Sequence, residues 1–244
     1  MEIQKIFIDI EDLQIGHFTD ARRPTGCTVL LCPQGAVAGV DVRGAAPGTR
    51  ETDLLHPVNT VQQIHGLVLS GGSAFGLDAA SGVMRWLSER GHGLAVGAAR
   101  VPIVPAAVVF DLWVGDEAMT ANTPPIHPDA QAGYAACEAA VNRRAPLPLG
   151  NVGAGAGATV GKLNGPDCAM RGGIGAASVQ VDGYTVSALM VCNAVGDIVD
   201  PCTGKTIAGA RQSAHARTLL HATPSQMLNA TLAAPALGSN TTIG

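Results

Sequence analysis

Asn240-Thr241, four residues from the end of the 244-residue chain, reads as a junction where a polypeptide could cut itself. A threonine hydroxyl can attack the carbonyl before it and turn the amide into an ester. Water splits the ester, and the threonine emerges as a new N-terminus. Its Oγ is then the nucleophile and its α-amine the base. A free α-amine has a pKa of about 7.7 to 8, suited to proton transfer near neutral pH. By themselves these residues also read as a polar tail or, in Asn240-Thr241-Thr242, as a glycosylation sequon. Two more residues could serve such chemistry. Lys162 is the one charge between Arg144 and Asp167. If buried it would have a lowered pKa and could act as a base or position one; if exposed it is an ordinary loop lysine. Asn193 closes the apolar run Tyr184–Cys192. Its amide could donate to a developing oxyanion, a role worth about 3 to 4 kcal/mol in a protease, or it could be a turn residue before Ala194-Val195-Gly196.

Two glycine-rich stretches could bring backbone donors to such a site. Ser70-Gly71-Gly72-Ser73-Ala74-Phe75-Gly76 lies between an apolar run and a helical pattern. Phe75 stands where a nucleophile elbow needs its second glycine, and Ser73 breaks the dinucleotide fingerprint. An oxyanion or substrate-binding turn at Gly71, Gly72 and Ser73 stands beside the plainer reading, a tight turn that needs glycine. In Gly153–Lys162, the phosphate-loop spacing would require Gly at Ala156 and Ser or Thr at Leu163. Neither is present, so nucleotide binding is rejected. This stretch is read as backbone that approaches a neighbour closely.

The elements that must hold these residues follow from periodicity. Apolar, β-branched runs predict strands at Thr28–Leu31, Ala36–Val42, Gly66–Leu69, Ile103–Phe110, Ala176–Val181, Tyr184–Cys192 and Ile198–Val199. Asp182-Gly183 suits a two-residue hairpin turn, and Asp200-Pro201 with Thr203-Gly204 marks another. A helix is predicted from Ala74 to Arg90, capped by Ser73 and stopped by Gly91. A second is predicted from Asp129 to Arg143. Strands outnumber helices and several form hairpins, which favours an antiparallel or mixed sheet with helices packed outside.

Composition narrows the function classes. The chain has 47% hydrophobic, 14% charged and 3% aromatic residues, 31 glycines and a net charge of −4. Small side chains let layers approach closely. No basic stripe suggests nucleic acid, and Arg22-Arg23 and Arg143-Arg144 read as solvated surface pairs. No apolar run is long enough for a membrane span, and residues 1–20 lack a signal-peptide core. The six cysteines show no CxxC and no zinc spacing with histidine, so they read as reduced, mostly buried residues of a cytoplasmic protein. No metal or other cofactor is expected.

Several blocks occur in a telling order: Asp41–Glu51, Leu69–Leu77, Val104–Leu112, Gly161-Lys162, Asn193–Asp197 and Asn240–Gly244. Together they resemble the DmpA-type L-aminopeptidase/D-esterase family, whose relatives include β-peptidyl aminopeptidases and nylon-oligomer hydrolases. The resemblance spans nearly the whole chain. It implies an α+β fold, a four-layer αββα sandwich, incomplete here because a C-terminal part is missing. It implies autocleavage between Asn240 and Thr241, with Thr241 as nucleophile, Asn193 on the oxyanion side and Lys162 beside the nucleophile. Phe110 is a departure, since some members carry a tyrosine there. Residues 1–217 would be an α-subunit-like core, 218–240 a flexible linker and 241–244 the stub of a β-subunit. Family members act on small peptides, amino-acid amides or esters and assemble as oligomers of processed heterodimers, so this is the expectation here. The rivals are an acyltransferase of the ornithine acetyltransferase type and an inactive fragment with a structural or partner-binding role.

Overall fold

The computed structural model describes residues 10, 12–115, 123–217, 219 and 241–243. Asn240 and nearly all of the predicted linker lie outside the described residues. In chain order the strands and helices begin with β1 (Gln14–Thr19), β2 (Gly26–Ala36), β3 (Thr49–Arg50), β4 (Ile64–Ser70), α1 (Ala79–Glu89), β5 (Leu94–Val96), β6 (Ala99–Val101), β7 (Ala106–Val108) and α2 (Ala130–Asn142). They continue with β8 (Thr159–Val160), β9 (Met170–Arg171), β10 (Gly173–Val181), β11 (Tyr184–Asn193), β12 (Ile198–Val199), β13 (Thr206–Ala208) and β14 (Thr241–Ile243).

The larger sheet runs β1-β2-β4-β7-β3 and is mixed, because β4 and β7 are parallel while its other neighbours are antiparallel. A second sheet, β10-β11-β14, is antiparallel throughout. Alternation along the central strands builds two cores. Val29, Leu31 and Val68 face α1 and α2, meeting Val83, Trp86, Leu87, Ala136 and Ala140. Their neighbours Leu30, Leu67 and Leu69 face the second sheet, packing with Ile174, Leu189, Val191 and Ile243. A sheet buried on both faces explains why Leu67-Val68-Leu69 is an unbroken apolar run. Among the described residues the layers are therefore helices, sheet, sheet. The outer face of β10-β11 carries the exposed Tyr184, Val186 and Met190.

The helices cross at glycines. A Cβ on Gly82 would lie 1.7 Å from the carbonyl oxygen of Ala130, and one on Gly133 would lie 1.9 Å from that of Ala79. Backbone is in contact with backbone, so no rotamer change can make room. Gly82→Ala is expected to lower the unfolding free energy by about 2 to 3 kcal/mol, the cost of overpacking a tight core. A urea midpoint equal to that of the parent protein would contradict this packing.

Local chemistry explains the element ends. The Asp129 side chain accepts from the Ala132 amide at 2.9 Å and caps α2. Past α1, Gly91 adopts φ +72°, with Gly91 N–H donating to Ser88 O and His92 N–H to Leu87 O. That is a Schellman stop. The N-terminal side of this helix differs from expectation. Ser73–Asp78 forms a 3-10 segment, Gly72 precedes it in the left-handed region, and no side chain caps it. The Asp182-Gly183 turn has φ of +49° and +84°, as a primed hairpin turn requires. Ala36–Val42 is not a strand beyond Ala36. Val37, Val40 and Val42 are exposed and pair with no neighbouring strand.

Candidate active site

Lys162 reaches its position because the chain turns sharply just before it. Gly161 has φ +70°, and a Cβ there would lie 2.0 Å from the Ala210 nitrogen. Gly161 N–H then donates to Gly196 O at 2.9 Å and Lys162 N–H to Val195 O at 2.7 Å. These bonds lay the chain alongside the segment that leaves β11. The Lys162 side chain turns inward and is buried. Its Nζ donates to Asn193 Oδ1 at 2.9 Å, Asn193 O at 3.0 Å and Ala194 O at 3.3 Å.

Asn193 is wholly buried at the end of β11. Its Oδ1 accepts from Lys162 and from the Thr159 amide at 3.0 Å, and its Nδ2 donates to the Phe110 carbonyl at 3.0 Å. Two donors on one side and a carbonyl on the other fix the orientation of this amide. Asn193 also pairs in register with Thr241 across β11 and β14, with Cys192 opposite Thr242 and Val191 opposite Ile243. Four chain segments that are far apart in sequence, at Phe110, Thr159–Lys162, Asn193 and Thr241, thus meet at one sheet end.

Burial pushes the Lys162 pKa down from 10.5 to about 8, partly opposed by nearby Cys192. Asn193 Oδ1, Asn193 O and Ala194 O are among the groups that hold the ammonium form in place, while desolvation makes the neutral amine accessible near physiological pH. A stability consequence follows. Between pH 8 and 10.5 the folded chain holds fewer protons at Lys162 than the unfolded chain does. Unfolding free energy therefore rises with pH across that window. Lys162→Met is expected to remove this rise, which denaturant titrations at several pH values would detect. An identical pH slope in both proteins would contradict it.

Gly71, Gly72 and Ser73 form the turn from β4 into the 3-10 segment that leads into α1. Gly71 N–H donates to Gly26 O at 2.9 Å, Gly72 N–H to Asp111 Oδ1 at 2.9 Å, and Ser73 N–H to Val109 O at 3.1 Å. Each amide has one hydrogen and each is used inside the fold. These three amides are therefore committed inside the fold, as a tight turn requires. Its glycines are needed for close approach, since a Cβ on Gly71 would lie 2.1 Å from Asp111 Oδ2.

Asp111 is the residue that sequence reasoning missed. Its carboxylate is fully buried and accepts from Arg23 Nη2 at 2.9 Å, Thr25 Oγ1 at 2.7 Å and Gly72 N. Arg23 is consequently buried, not solvated, and also donates to the carbonyls of Asp111, Val114 and Ile126. Arg22 is exposed but pairs with Asp20 at 2.6 Å. Arg143 is half-buried and donates to Ile15 O at 3.2 Å. Asp111 follows Phe110, whose contribution to the site is its carbonyl; its ring packs edge-on against Trp113 at 4.8 Å. A buried Asp-Arg pair 88 residues apart leaves no periodic signal, and neither does a main-chain acceptor.

The glycine-rich 153–158 segment runs tightly through the interior, as read from the sequence. Cβ atoms on Gly155 and Gly157 would lie 2.3 Å from the Ile174 nitrogen and the Pro24 oxygen. Ala154 N–H donates to Thr28 Oγ1 at 3.1 Å, and that hydroxyl contacts His17 Nδ1 at 2.9 Å. Burial lowers the His17 pKa, favouring the neutral ring that can accept from Thr28. Of the cysteines, Cys27, Cys137 and Cys168 are buried, Cys32 and Cys192 half-buried and Cys202 exposed, all as free thiols. Among the described residues no His, Cys, Asp or Glu cluster could hold a metal ion, and no helix is long and apolar enough to cross a membrane.

The sequence pattern of peptidase family S58 matches residues 5–243. The chain belongs to peptidase family S58. Within it, an uncharacterised aminopeptidase of Mycobacterium leprae is 45% identical over 212 residues, covering 80% of this chain and 54% of that protein. A 6-aminohexanoate-oligomer endohydrolase of a Kocuria species is 33% identical over 196 residues, covering 80% of this chain and 50% of that enzyme. The chain thus spans about half the length of these S58 relatives. The fold is similar to that of the L-aminopeptidase D-Ala-esterase/amidase of Ochrobactrum anthropi, an Ntn hydrolase variant. The TM-score is 0.56 at 19% identity, over 76% of this chain and 52% of that one. The S58 membership agrees with the resemblance carried by the Asn193–Asp197 and Asn240–Gly244 blocks.

Proposed function

We propose that the protein containing this chain is a self-processing amidohydrolase, with aminopeptidase or esterase activity on small peptides, amino-acid amides or esters. The reading is carried by one observation: Thr241 stands opposite Asn193 in strand register, and Asn193 holds the buried amino group of Lys162. Cleavage after Asn240 frees the Thr241 α-amine. Thr241 Oγ attacks the acyl carbon, and its proton passes to the α-amine, then to the leaving amine. Water hydrolyses the acyl-enzyme by the same route. Asn193 lies on the oxyanion side, with one Nδ2 hydrogen on the Phe110 carbonyl. Lys162, with its pKa near 8, serves as base for the Thr241 hydroxyl before the α-amine exists. No cofactor takes part. A C-terminal β-subunit completes the site and adds the outer layer over β10-β11, giving the αββα sandwich. Processed heterodimers then associate into oligomers in the cytoplasm. The S58 membership and the aminopeptidase and endohydrolase relatives support this reading.

The test is to express the full reading frame and follow both steps. The expected result is two fragments and release of amine from a dipeptide or amino-acid amide. Adding an amino-acid acceptor should leave water as the main acyl acceptor. Transfer to the added amine as the dominant outcome would make the protein an acyltransferase instead. If Lys162 is the base for processing, the cleavage rate should rise about tenfold per pH unit below 8 and level off above it. Lys162→Met should slow processing by roughly a hundredfold and erase that inflection. An unchanged rate and profile in the variant would remove Lys162 from the chemistry.

A further inference from the structure

A groove of about 1100 Å³ opens beside the candidate site. One wall includes Thr159, whose amide holds the Asn193 side chain. Another includes Trp113, which packs on Phe110, the residue whose carbonyl takes the Asn193 Nδ2 hydrogen. The groove therefore borders Thr159, which holds the Asn193 side chain, and Trp113, which packs on Phe110.

Its charge is unusual for a chain of net −4. Arg22, Arg171 and Arg211 line it, with Asp167 as the acid among the described lining residues. Arg22 is balanced by Asp20. Arg171 and Arg211 have no carboxylate within ion-pair distance among the described residues. Carbonyl groups hold them instead. Arg171 Nη1 donates to Ala156 O at 3.0 Å. Arg211 Nη2 donates to Asp167 O at 2.7 Å and Ala169 O at 3.1 Å, and its Nε to Cys168 O at 3.3 Å. Backbone dipoles fix a guanidinium without cancelling its charge. Two guanidiniums anchored by carbonyls, with no carboxylate partner among the described residues, give the groove a preformed site for a carboxylate.

Building on the hydrolase reading above, we infer that this groove receives the free carboxylate of the substrate, so that short peptides ending in a carboxylate are favoured over their amides. In a cut that frees the N-terminal residue, the leaving fragment carries the C-terminal carboxylate. An arginine-lined groove beside the residue whose amide holds Asn193, which is opposite Thr241 in strand register, fits that leaving side. Arg171 is the principal anchor, since among the described residues a single backbone acceptor engages it whereas three engage Arg211.

The test uses full-length processed protein and a dipeptide analogue in which a methylene replaces the scissile carbonyl, so that binding is measured without turnover. One form ends in a carboxylate and the other in a carboxamide. Calorimetry is expected to give a Kd roughly five- to tenfold lower for the carboxylate, the size of one charge-assisted contact at a partly exposed rim. Added salt should shrink the ratio. Arg171→Gln should bring it close to one, and Arg171→Lys should retain part of it. Equal binding of the two forms by the parent protein, or an unchanged ratio in Arg171→Gln, overturns the inference. Turnover of a simple amino-acid amide by the same preparation separately reports on the hydrolase reading.

Discussion

Thr241→Ala in the full-length protein is expected to give one unbroken polypeptide on a denaturing gel and no measurable amide hydrolysis. The argument is chemical. Alanine has no Oγ, so the Asn240-Thr241 bond cannot rearrange to an ester, and the α-amine that would act as base is never released. Nucleophile and base are lost together. The expected fall in activity is at least about 10⁴-fold, in line with removal of a covalent nucleophile elsewhere. Because Thr241 belongs to β14 and pairs with Asn193 through the backbone, alanine there should keep the strand register. The uncut variant should therefore fold, with thermal stability close to that of the parent precursor. Two fragments of normal size from the variant would refute the role given to Thr241. Thr241→Ser separates the hydroxyl from the methyl group. It should still be cut, because the hydroxyl remains.

Asp111→Ala should have the largest effect on stability. The carboxylate is wholly buried and binds Arg23, Thr25 and Gly72 at once. Alanine leaves the Arg23 guanidinium, with a side chain only 3% exposed, without its anion in the interior. Removing one partner of such a pair costs about 3 to 5 kcal/mol. A domain stability of about 5 to 15 kcal/mol makes that a large fraction. Urea unfolding should show the midpoint falling with the slope unchanged. Asp111→Asn keeps one acceptor oxygen and a similar volume, so it should lose less. A loss of unfolding free energy below about 1 kcal/mol in the alanine variant would mean that water or other groups replace the carboxylate. The same pair explains the Gly71-Gly72 turn, since Asp111 takes the Gly72 amide and sits where a Gly71 side chain would be.

The sequence made the helices and hairpins legible because their signals are local. Asp129, Gly91 and Asp182-Gly183 act within a few residues of where they stand, and each does what its type predicts. The apolar Ala36–Val42 run misled because alternating β-branched residues also suit an exposed loop, and only pairing makes a strand. Arg23 misled because a charged pair beside a proline looks solvated until Asp111 is known to be packed against it. Lys162 and Asn193 were both visible as candidates, but their contact was not. Nζ and Oδ1 meet through a positive-φ glycine and a sheet register, neither of which has a one-dimensional pattern. The Phe110 contribution was hidden for another reason: it is a carbonyl oxygen, which every residue has. At the Gly71 turn the sequence left two readings open. The Gly71 and Gly72 amides bond within the fold and Gly71 allows close packing on Asp111, neither of which a glycine pattern shows.

Backbone scission at one defined bond is the step on which the functional account rests, and N-terminal sequencing of the smaller fragment from the natural gene product tests it most directly. The account predicts a fragment beginning Thr-Thr-Ile-Gly, the residues from Thr241 onward. A fragment with another first residue, or an uncut polypeptide that still hydrolyses amides, would contradict it.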